Sequence, residues 1–249
     1  MQLDAETRAR LLCLRDALST RSRVTVLTGA GVSSASGVPT FRGAPDSLWE
    51  NHRPQDLATP EAFARDPQLV WRWYDWRRVL IAGCQPNAAH LALARLEDSV
   101  AAVTVITQNV DGLHARAGSR RVIEFHGSIW RVRCTGCGHE TVDTRAPLPP
   151  PLPPSCPACG AALRPGVIWF TETIDPEAMQ AASSAARDCD LFLVVGTSGV
   201  VWPAAGLAGL ARASGAQVVE FNLEPGGIRD QVHLFVPGDA ALTVPLIVP

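Results

Sequence analysis

The sequence predicts an α/β fold, a doubly wound parallel sheet that carries a smaller inserted domain. Three observations lead there. Short apolar runs rich in β-branched residues recur between stretches of helical pattern. The first such run passes straight into a glycine turn, Thr28-Gly-Ala-Gly31, and two pairs of cysteines mark a segment of quite different composition. Strands that alternate with helices pair in parallel, because each crossover helix carries the chain back to the same end of the sheet. A chain of 249 residues is long enough for one large core and a small companion.

Taken in order, residues 5–18 set Leu11, Leu12, Leu14 and Leu18 among arginines and acids, which predicts an amphipathic opening helix. Val24-Thr-Val-Leu27 predicts the strand before the glycine turn. Residues 40–60, rich in Pro, Asn and Asp, predict a loop, and 61–82, rich in Trp and Arg, predict helices. A helix near 88–96 leads to a strand at Val103-Thr-Val-Ile106, with a third at Val122-Ile-Glu-Phe125. Between 130 and 165 the character changes. There Pro147-Leu-Pro-Pro-Pro-Leu-Pro-Pro154 lacks the backbone donors of a helix or central strand, so a stiff loop inside a small module is expected. Strands are expected again at Val167-Ile-Trp-Phe170, Leu191-Phe-Leu-Val-Val195 and Val218-Val-Glu-Phe221, with a helix around 177–187 between the first two. The large domain is therefore assigned to residues 1–41, 86–129 and 166–249, and the small one to 42–85 and 130–165.

Composition narrows the function. With 47% hydrophobic and 18% charged residues the chain reads as a soluble globular protein. A formal net charge of −2 offers neither a basic footprint for nucleic acid nor a polybasic membrane patch, so neither partner is expected. No apolar run reaches membrane-spanning length. The opening Met-Gln-Leu-Asp-Ala-Glu has no basic or apolar signal region, and a cytoplasmic location is expected. All 22 basic residues are arginine, a bias that GC-rich coding accounts for. It excludes a lysine nucleophile or Schiff base outright.

Four of the seven cysteines form Cys134-Thr-Gly-Cys137 and Cys156-Pro-Ala-Cys159, separated by 18 residues. Without a secretory signal, that spacing points to tetrahedral zinc in a ribbon, with Gly136, Gly138 and Gly160 supplying tight turns. Four protein ligands leave no open position, so one structural zinc per chain is expected. A redox pair is the competing idea, which two pairs flanking a proline loop disfavour. A nucleic-acid-binding ribbon finds little support in Arg131, Arg133, Arg145 and Arg164. Cys13, Cys84 and Cys189 lie in apolar surroundings and read as inert core thiols.

Gly29-Ala-Gly-Val-Ser-Ser-Ala-Ser-Gly37 follows the first strand, where glycines let backbone amides approach a pyrophosphate, as in Rossmann-like sheets. It departs from the dehydrogenase fingerprint. Ser34 takes the third glycine position, and Glu50, in Leu48-Trp-Glu-Asn-His, is no strand-end acid. Taken singly, His126 reads as a core histidine, Asn109 and Asp111 as turn caps beside Gly112, and Arg42 as a surface cation.

Their order and co-occurrence change that reading. The stretch Gly29-Ala-Gly-Val-Ser-Ser-Ala-Ser-Gly-Val-Pro-Thr-Phe-Arg-Gly43 closely resembles the cofactor loop of the sirtuin family. Thr107-Gln-Asn-Val-Asp-Gly-Leu-His114 resembles its second signature and His126-Gly127 its third. Gly196-Thr-Ser198 and Phe221-Asn222-Leu-Glu224 resemble the segments that hold the adenosine half of NAD, and the cysteine pairs fall where the family has them. The resemblance runs from about residue 22 to the C-terminus.

The resemblance implies an NAD-dependent protein-lysine deacylase. In sirtuins the acyl carbonyl oxygen of acyl-lysine attacks C1′ of the nicotinamide ribose, nicotinamide leaves, and a histidine base promotes attack by the ribose hydroxyl. Water then completes release of free lysine and 2′-O-acyl-ADP-ribose. His126 would be the base, since imidazole exchanges protons near neutral pH, and Asn109 would share the catalytic work. Gln108, Asn109 and Asp111 would orient the ribose and nicotinamide, Phe41 would cover the sugar, and Arg42 would face the phosphates. Gly29, Ala30, Gly31, Ser33, Gly196, Thr197, Ser198, Asn222, Glu224 and Ala240 would complete the NAD contacts. A lysine-free deacylase could not be its own side-chain substrate.

The acylated peptide of the target protein is expected to add as a strand between the domains, against Val167-Ile-Trp-Phe-Thr-Glu172. Thr171 stands there where the family has glycine, which puts the docking geometry in question. Tyr74 and Arg77 share one helical face and resemble the Tyr-x-x-Arg pair of sirtuins that remove succinyl, malonyl and glutaryl groups, and Ala44 matches the small residue that widens their pocket. Plain deacetylation, mono-ADP-ribosyl transfer and NAD sensing without turnover remain alternatives. A monomer is compatible with the sequence.

Overall fold

A computed structural model describes residues 3–20, 22–40 and 54–248. From the N-terminus, helix α1 (Ala5–Ala17) precedes strand β1 (Arg23–Thr28) and the short helix α2 (Ala30–Ser33). Helices α3 (Pro54–Leu57), α4 (Pro60–Arg65), α5 (Pro67–Gly83) and α6 (Ala88–Leu96) lead to β2 (Ala102–Thr107), α7 (Leu113–Arg116) and β3 (Val122–Glu124). Strands β4 (Gly127–Cys134), β5 (Glu140–Val142) and β6 (Leu163–Val167) come next. The chain ends with α8 (Pro176–Arg187), β7 (Leu191–Val195), α9 (Gly206–Ala213), β8 (Gln217–Asn222), β9 (Leu234–Pro237) and α10 (Ala240–Thr243). Side-chain caps fix the helix starts: Asp4, Thr59, Asp66, Asn87, Asp175 and Asp239 each accept a first-turn amide, and α4, α5 and α8 open on proline.

Six strands form one parallel sheet in the order β3-β2-β1-β7-β8-β9. Every residue of β7 and all but the first of β1 are buried, which is why these central strands read as unbroken apolar runs. One face packs Leu11, Val26, Leu93, Leu96 and Val105 against α1, α6 and α10. The other packs Leu27, Ile106, Phe192 and Val194 against Ala182, Ala186, Ala208 and Ala211 of α8 and α9. The strand order reverses direction between β1 and β7, and an open α/β sheet offers a ligand crevice at the carboxyl ends of such a pair.

The second layer is a three-stranded antiparallel sheet, β5-β4-β6, that shares a core with α3 to α5. Trp71, Tyr74, Ile129, Val132, Leu163 and Trp169 meet there. Arg78 is fully buried in the seam, where its Nε donates to Ile129 O at 2.8 Å and its NH1 lies 3.8 Å from Asp143. Residues 147–154 form neither helix nor strand, and Leu148 pins them to this core.

Several expectations change. Of Val167–Phe170 only Val167 lies in a strand, and β6 belongs to the small antiparallel sheet. The amides of Ile168, Trp169 and Phe170 go to three separate partners, His126 O, Glu172 Oε2 and Ala58 O, instead of a ladder. A short apolar run reports burial, and burial alone does not make a strand. In the 40–60 stretch, Pro54 and Pro60 start helices rather than break the chain. Cys13 is exposed, on the side of α1 away from the buried Leu11, whereas Cys84 and Cys189 are buried and burial pushes both thiols up. No helix among the described residues is long and apolar enough to cross a membrane.

Candidate active site and zinc site

A cavity of about 1130 Å³ opens at the carboxyl ends of β1 and β7 and runs to the small domain. It exceeds the roughly 300–1,000 Å³ of ordinary small-ligand sites, leaving room for a dinucleotide and an acyl chain together. Gly29, Ala30, Gly31, Gln108, Asn109, His126, Gly196, Thr197, Ser198, Asn222, Glu224 and Ala240 line it, and Tyr74 and Arg77 line it from α5. Phe41, Arg42 and Ala44 lie outside the described residues.

Close backbone packing explains the glycines. A Cβ on Gly29 would sit 2.8 Å from Thr197 Cβ, and one on Gly31 would sit 2.8 Å from Gly196 Cα. Gly196 itself has φ +60 and would press on Val32 N at 2.4 Å. The turns after β1 and β7 thus cross at backbone contact, leaving a cradle of the kind a pyrophosphate needs. Gln108 Nε2 donates to Thr197 Oγ1 at 2.9 Å, and Asn222 Nδ2 donates to Thr197 O at 2.9 Å, tying the floor together.

His126 sits at the head of this cradle. Its Nδ1 lies 3.1 Å from Gln108 O. A carbonyl only accepts, so the proton sits on Nδ1 and Nε2 keeps its lone pair. Burial pushes the imidazole below its ordinary range, partly offset by the Gln108 contact, so His126 is neutral at pH 7. That is the form a general base requires.

Ser33 and Asp111, expected as cofactor contacts, do not line this cavity; Asp111 lines a neighbouring one of about 230 Å³ that also touches Asn109. Ser33 Oγ donates to Asp111 Oδ2 at 2.8 Å and accepts from Asn109 Nδ2 at 3.0 Å. Asn109 Nδ2 also donates to Gly29 O at 3.1 Å, which leaves its Oδ1 as an acceptor for a ligand. Ser33 thus links Asn109 to Asp111, whose Oδ1 accepts the Leu113 amide at 2.9 Å.

One residue beside this network, His90, went unremarked in the sequence, while its neighbour His114 closes the second signature. His90 and His114 are fully buried, with ring centroids 4.7 Å apart. Asn87 N donates to His90 Nδ1 at 3.3 Å, so His90 Nε2 carries the proton, 3.4 Å from Ser33 Oγ. The Asn87-x-x-His90 spacing of a helix start was the available signal. Burial holds His90 at about 4 and His114 at about 3. Unfolded histidines take up protons near 6.5, so this pair's stabilisation is fully present above that pH and is lost as pH falls toward 4. Both imidazoles should keep neutral ¹⁵N shifts at pH 5 in NMR spectra. Titration of either near 6.5 would refute their burial as neutral groups.

Tyr74 and Arg77 are both buried, with the Arg77 guanidinium carbon 4.8 Å from the Trp73 ring centroid and 5.7 Å from that of Tyr74. Burial pushes the Arg77 guanidinium down, opposed by Tyr74 and Asp111, and pushes the Tyr74 phenol up. The neighbouring arginine, Arg78, faces the ribbon, so adjacent residues divide between pocket and core. Thr171 keeps a glycine-like φ of 74 and so preserves the turn in spite of its side chain.

The four cysteine sulfurs of Cys134, Cys137, Cys156 and Cys159 lie within 4.8 Å of one another. Cys134 Sγ is 3.4 Å from Cys159 Sγ, and Cys137 Sγ is 3.8 Å from Cys156 Sγ. Four thiolates about 2.3 Å from a tetrahedral zinc stand about 3.8 Å apart, so the cluster fits one structural zinc. The Cys137 and Gly136 amides point at Cys134 Sγ and hold that thiol down to about 6, favouring the thiolate.

The comparison with known proteins agrees with this arrangement. The profile of the Sir2 family matches residues 29–203. An NAD-dependent protein deacylase of Aquifex aeolicus is 54% identical over 201 residues, covering 81% of this chain and 83% of that protein. The NAD-dependent protein deacylase 2 of Pyrobaculum aerophilum is 51% identical over 236 residues, covering 94% and 92%. The crystal structure of a Sir2 homolog–NAD complex superposes with a TM-score of 0.87 at 43% identity, covering 96% of this chain and 92% of that one. By its cradle, its cysteine cluster and these relatives, the chain belongs to the Sir2 family, the sirtuins.

Proposed function

We propose that this sirtuin removes acyl groups from protein lysine side chains with NAD as co-substrate, and that it prefers acidic acyl groups such as succinyl, malonyl and glutaryl. Nicotinamide and 2′-O-acyl-ADP-ribose are then the other products. The observation that carries the reading is one cavity lined by both His126 and the Tyr74–Arg77 pair.

The geometry supports the following roles. NAD, when bound, supplies the electrophilic ribose carbon. Gly29, Gly31 and Gly196 let the backbone approach its pyrophosphate, while Asn222 and Glu224 stand at the adenosine end. Asn109 presents its carbonyl oxygen, and His126 accepts a hydroxyl proton at Nε2. The zinc, held by Cys134, Cys137, Cys156 and Cys159, is closed to substrate and acts on the fold alone.

A succinyl chain carries a carboxylate that must leave water to enter the cavity. Unpartnered, that desolvation costs several kcal/mol. Arg77 and Tyr74 offer charge-assisted bonds of about 1.5–3 kcal/mol each. An acetyl group makes no such contact. In catalytic efficiency, Arg77→Met should cut desuccinylation at least about a hundredfold, or about 2.7 kcal/mol, while deacetylation of a matched peptide changes little or rises. Tyr74→Phe should act in the same direction and less. An equal loss of both activities would make Arg77 structural and withdraw the acidic-acyl preference. Labelled protein in place of free lysine would favour ADP-ribosyl transfer.

A further inference from the structure

The tyrosine of the acyl pocket is held by a chain of contacts that none of the roles above uses. Trp169 Nε1 donates to Tyr74 Oη at 2.9 Å, and both side chains are buried. The indole is gripped in turn. The Arg164 guanidinium carbon lies 3.5 Å over its ring, and Phe63 packs at 5.4 Å between centroids. Arg164 reaches the Glu172 carboxylate with both terminal nitrogens, at 2.5 and 2.9 Å, and NH2 also donates to Val167 O at 2.9 Å. Glu172 Oε2 accepts the Trp169 amide at 2.7 Å, and Glu172 N donates to Trp169 O at 3.1 Å. Thr171, at φ 74, is the corner of that closed turn.

We propose that Trp169, clamped by Arg164 and Glu172, is a positioning residue for acyl specificity: its indole N–H fixes the Tyr74 hydroxyl so that the phenol proton is presented to the carboxylate of an acidic acyl group. The inference rests on the acidic-acyl reading above. A hydroxyl has one proton and two acceptor sites. An N–H on one acceptor site turns the proton away from Trp169. A phenol free to rotate must give up that freedom to aim its proton at a carboxylate, a cost that a hydroxyl already fixed by Trp169 avoids. An acetyl group, with no carboxylate, does not read the orientation. The stiffness of the turn matters for the same reason, because a donor that wanders does not fix its acceptor.

Trp169→Phe keeps an aromatic plane and deletes the N–H. With succinyl- and acetyl-lysine peptides of identical flanks, the ratio of desuccinylation to deacetylation should fall about tenfold in this variant, mainly through KM for the succinyl peptide. In a Tyr74→Phe background, Trp169→Phe should cost the ratio nothing further, since no hydroxyl remains for the indole N–H to orient. Tyr74 is the chain's one tyrosine, so a ¹³Cζ-tyrosine label reads it alone. Its resonance should move in Trp169→Phe and remain a single narrow line. Should Trp169→Phe fail to fold, Glu172→Gln, which loosens Arg164 without changing size, should move ratio and resonance in the same sense and by less. An unmoved resonance, an unchanged ratio, or additive losses in the double variant would overturn the proposal. A wild-type enzyme with no succinyl preference would remove the acyl reading while the resonance still reports the contact. A preference that survives Trp169→Phe would remove the positioning role alone.

Discussion

His126→Ala is expected to lower deacylation by about 10²–10⁴-fold while NAD binding largely survives. The size follows from removing the imidazole that lines the head of the cradle. Survival of binding follows if the proposed pyrophosphate and adenosine contacts are made by other elements, the turns after β1, β7 and β8 that line the same cavity. The Nδ1 contact to Gln108 O fixes the tautomer, and burial keeps the ring neutral. Because the folded pKa lies below the ordinary value near 6.5, the acid limb of kcat/KM should fall below that pH and vanish in the variant. Calorimetric NAD titration beside rate measurements separates the two effects. A variant that keeps more than about a tenth of wild-type activity would sink the assignment.

Loss of zinc should be costlier still, and to the fold instead of the chemistry. Cys134 and Cys156 are buried in the same core as Trp71, Tyr74 and Trp169, so the metal would staple the cavity wall that Tyr74 and Trp169 line as well as the ribbon. Structural zinc contributes apparent free energies of about 10–16 kcal/mol in small zinc domains. Metal analysis should return about one zinc per chain, as one four-thiolate site requires. Cys156→Ser should give aggregated or unstable protein, with near-ultraviolet circular dichroism of the small domain's tryptophans lost first. A well-folded, metal-free Cys156→Ser protein would refute the structural role.

The sequence by itself determined the central strands, the zinc ligands and the cradle. β1, β2 and β7 were legible because both faces of the sheet are covered, which writes burial into consecutive residues. The cysteines were legible because two ligands of one knuckle must lie close in sequence. The glycines were legible because a backbone crossing tolerates no Cβ. Tertiary structure alone decided what those features could not encode. The short β9, ending in proline, carries too little local signal and exists by packing on β8, whereas the amphipathic α9 went unread because two glycines interrupt its eight residues. Val167–Phe170 left the large sheet because Ile168 and Phe170 found partners far away in the chain and Trp169 found the Glu172 carboxylate. Asp111 and Ser33 face each other because the fold brings a serine and a carboxylate 78 residues apart to 2.8 Å. Trp169 gained its place from a hydroxyl 95 residues distant. Local spacing encodes what neighbours in the chain do together. The direction in which a buried polar atom points is set by partners that only the folded chain brings within hydrogen-bond reach.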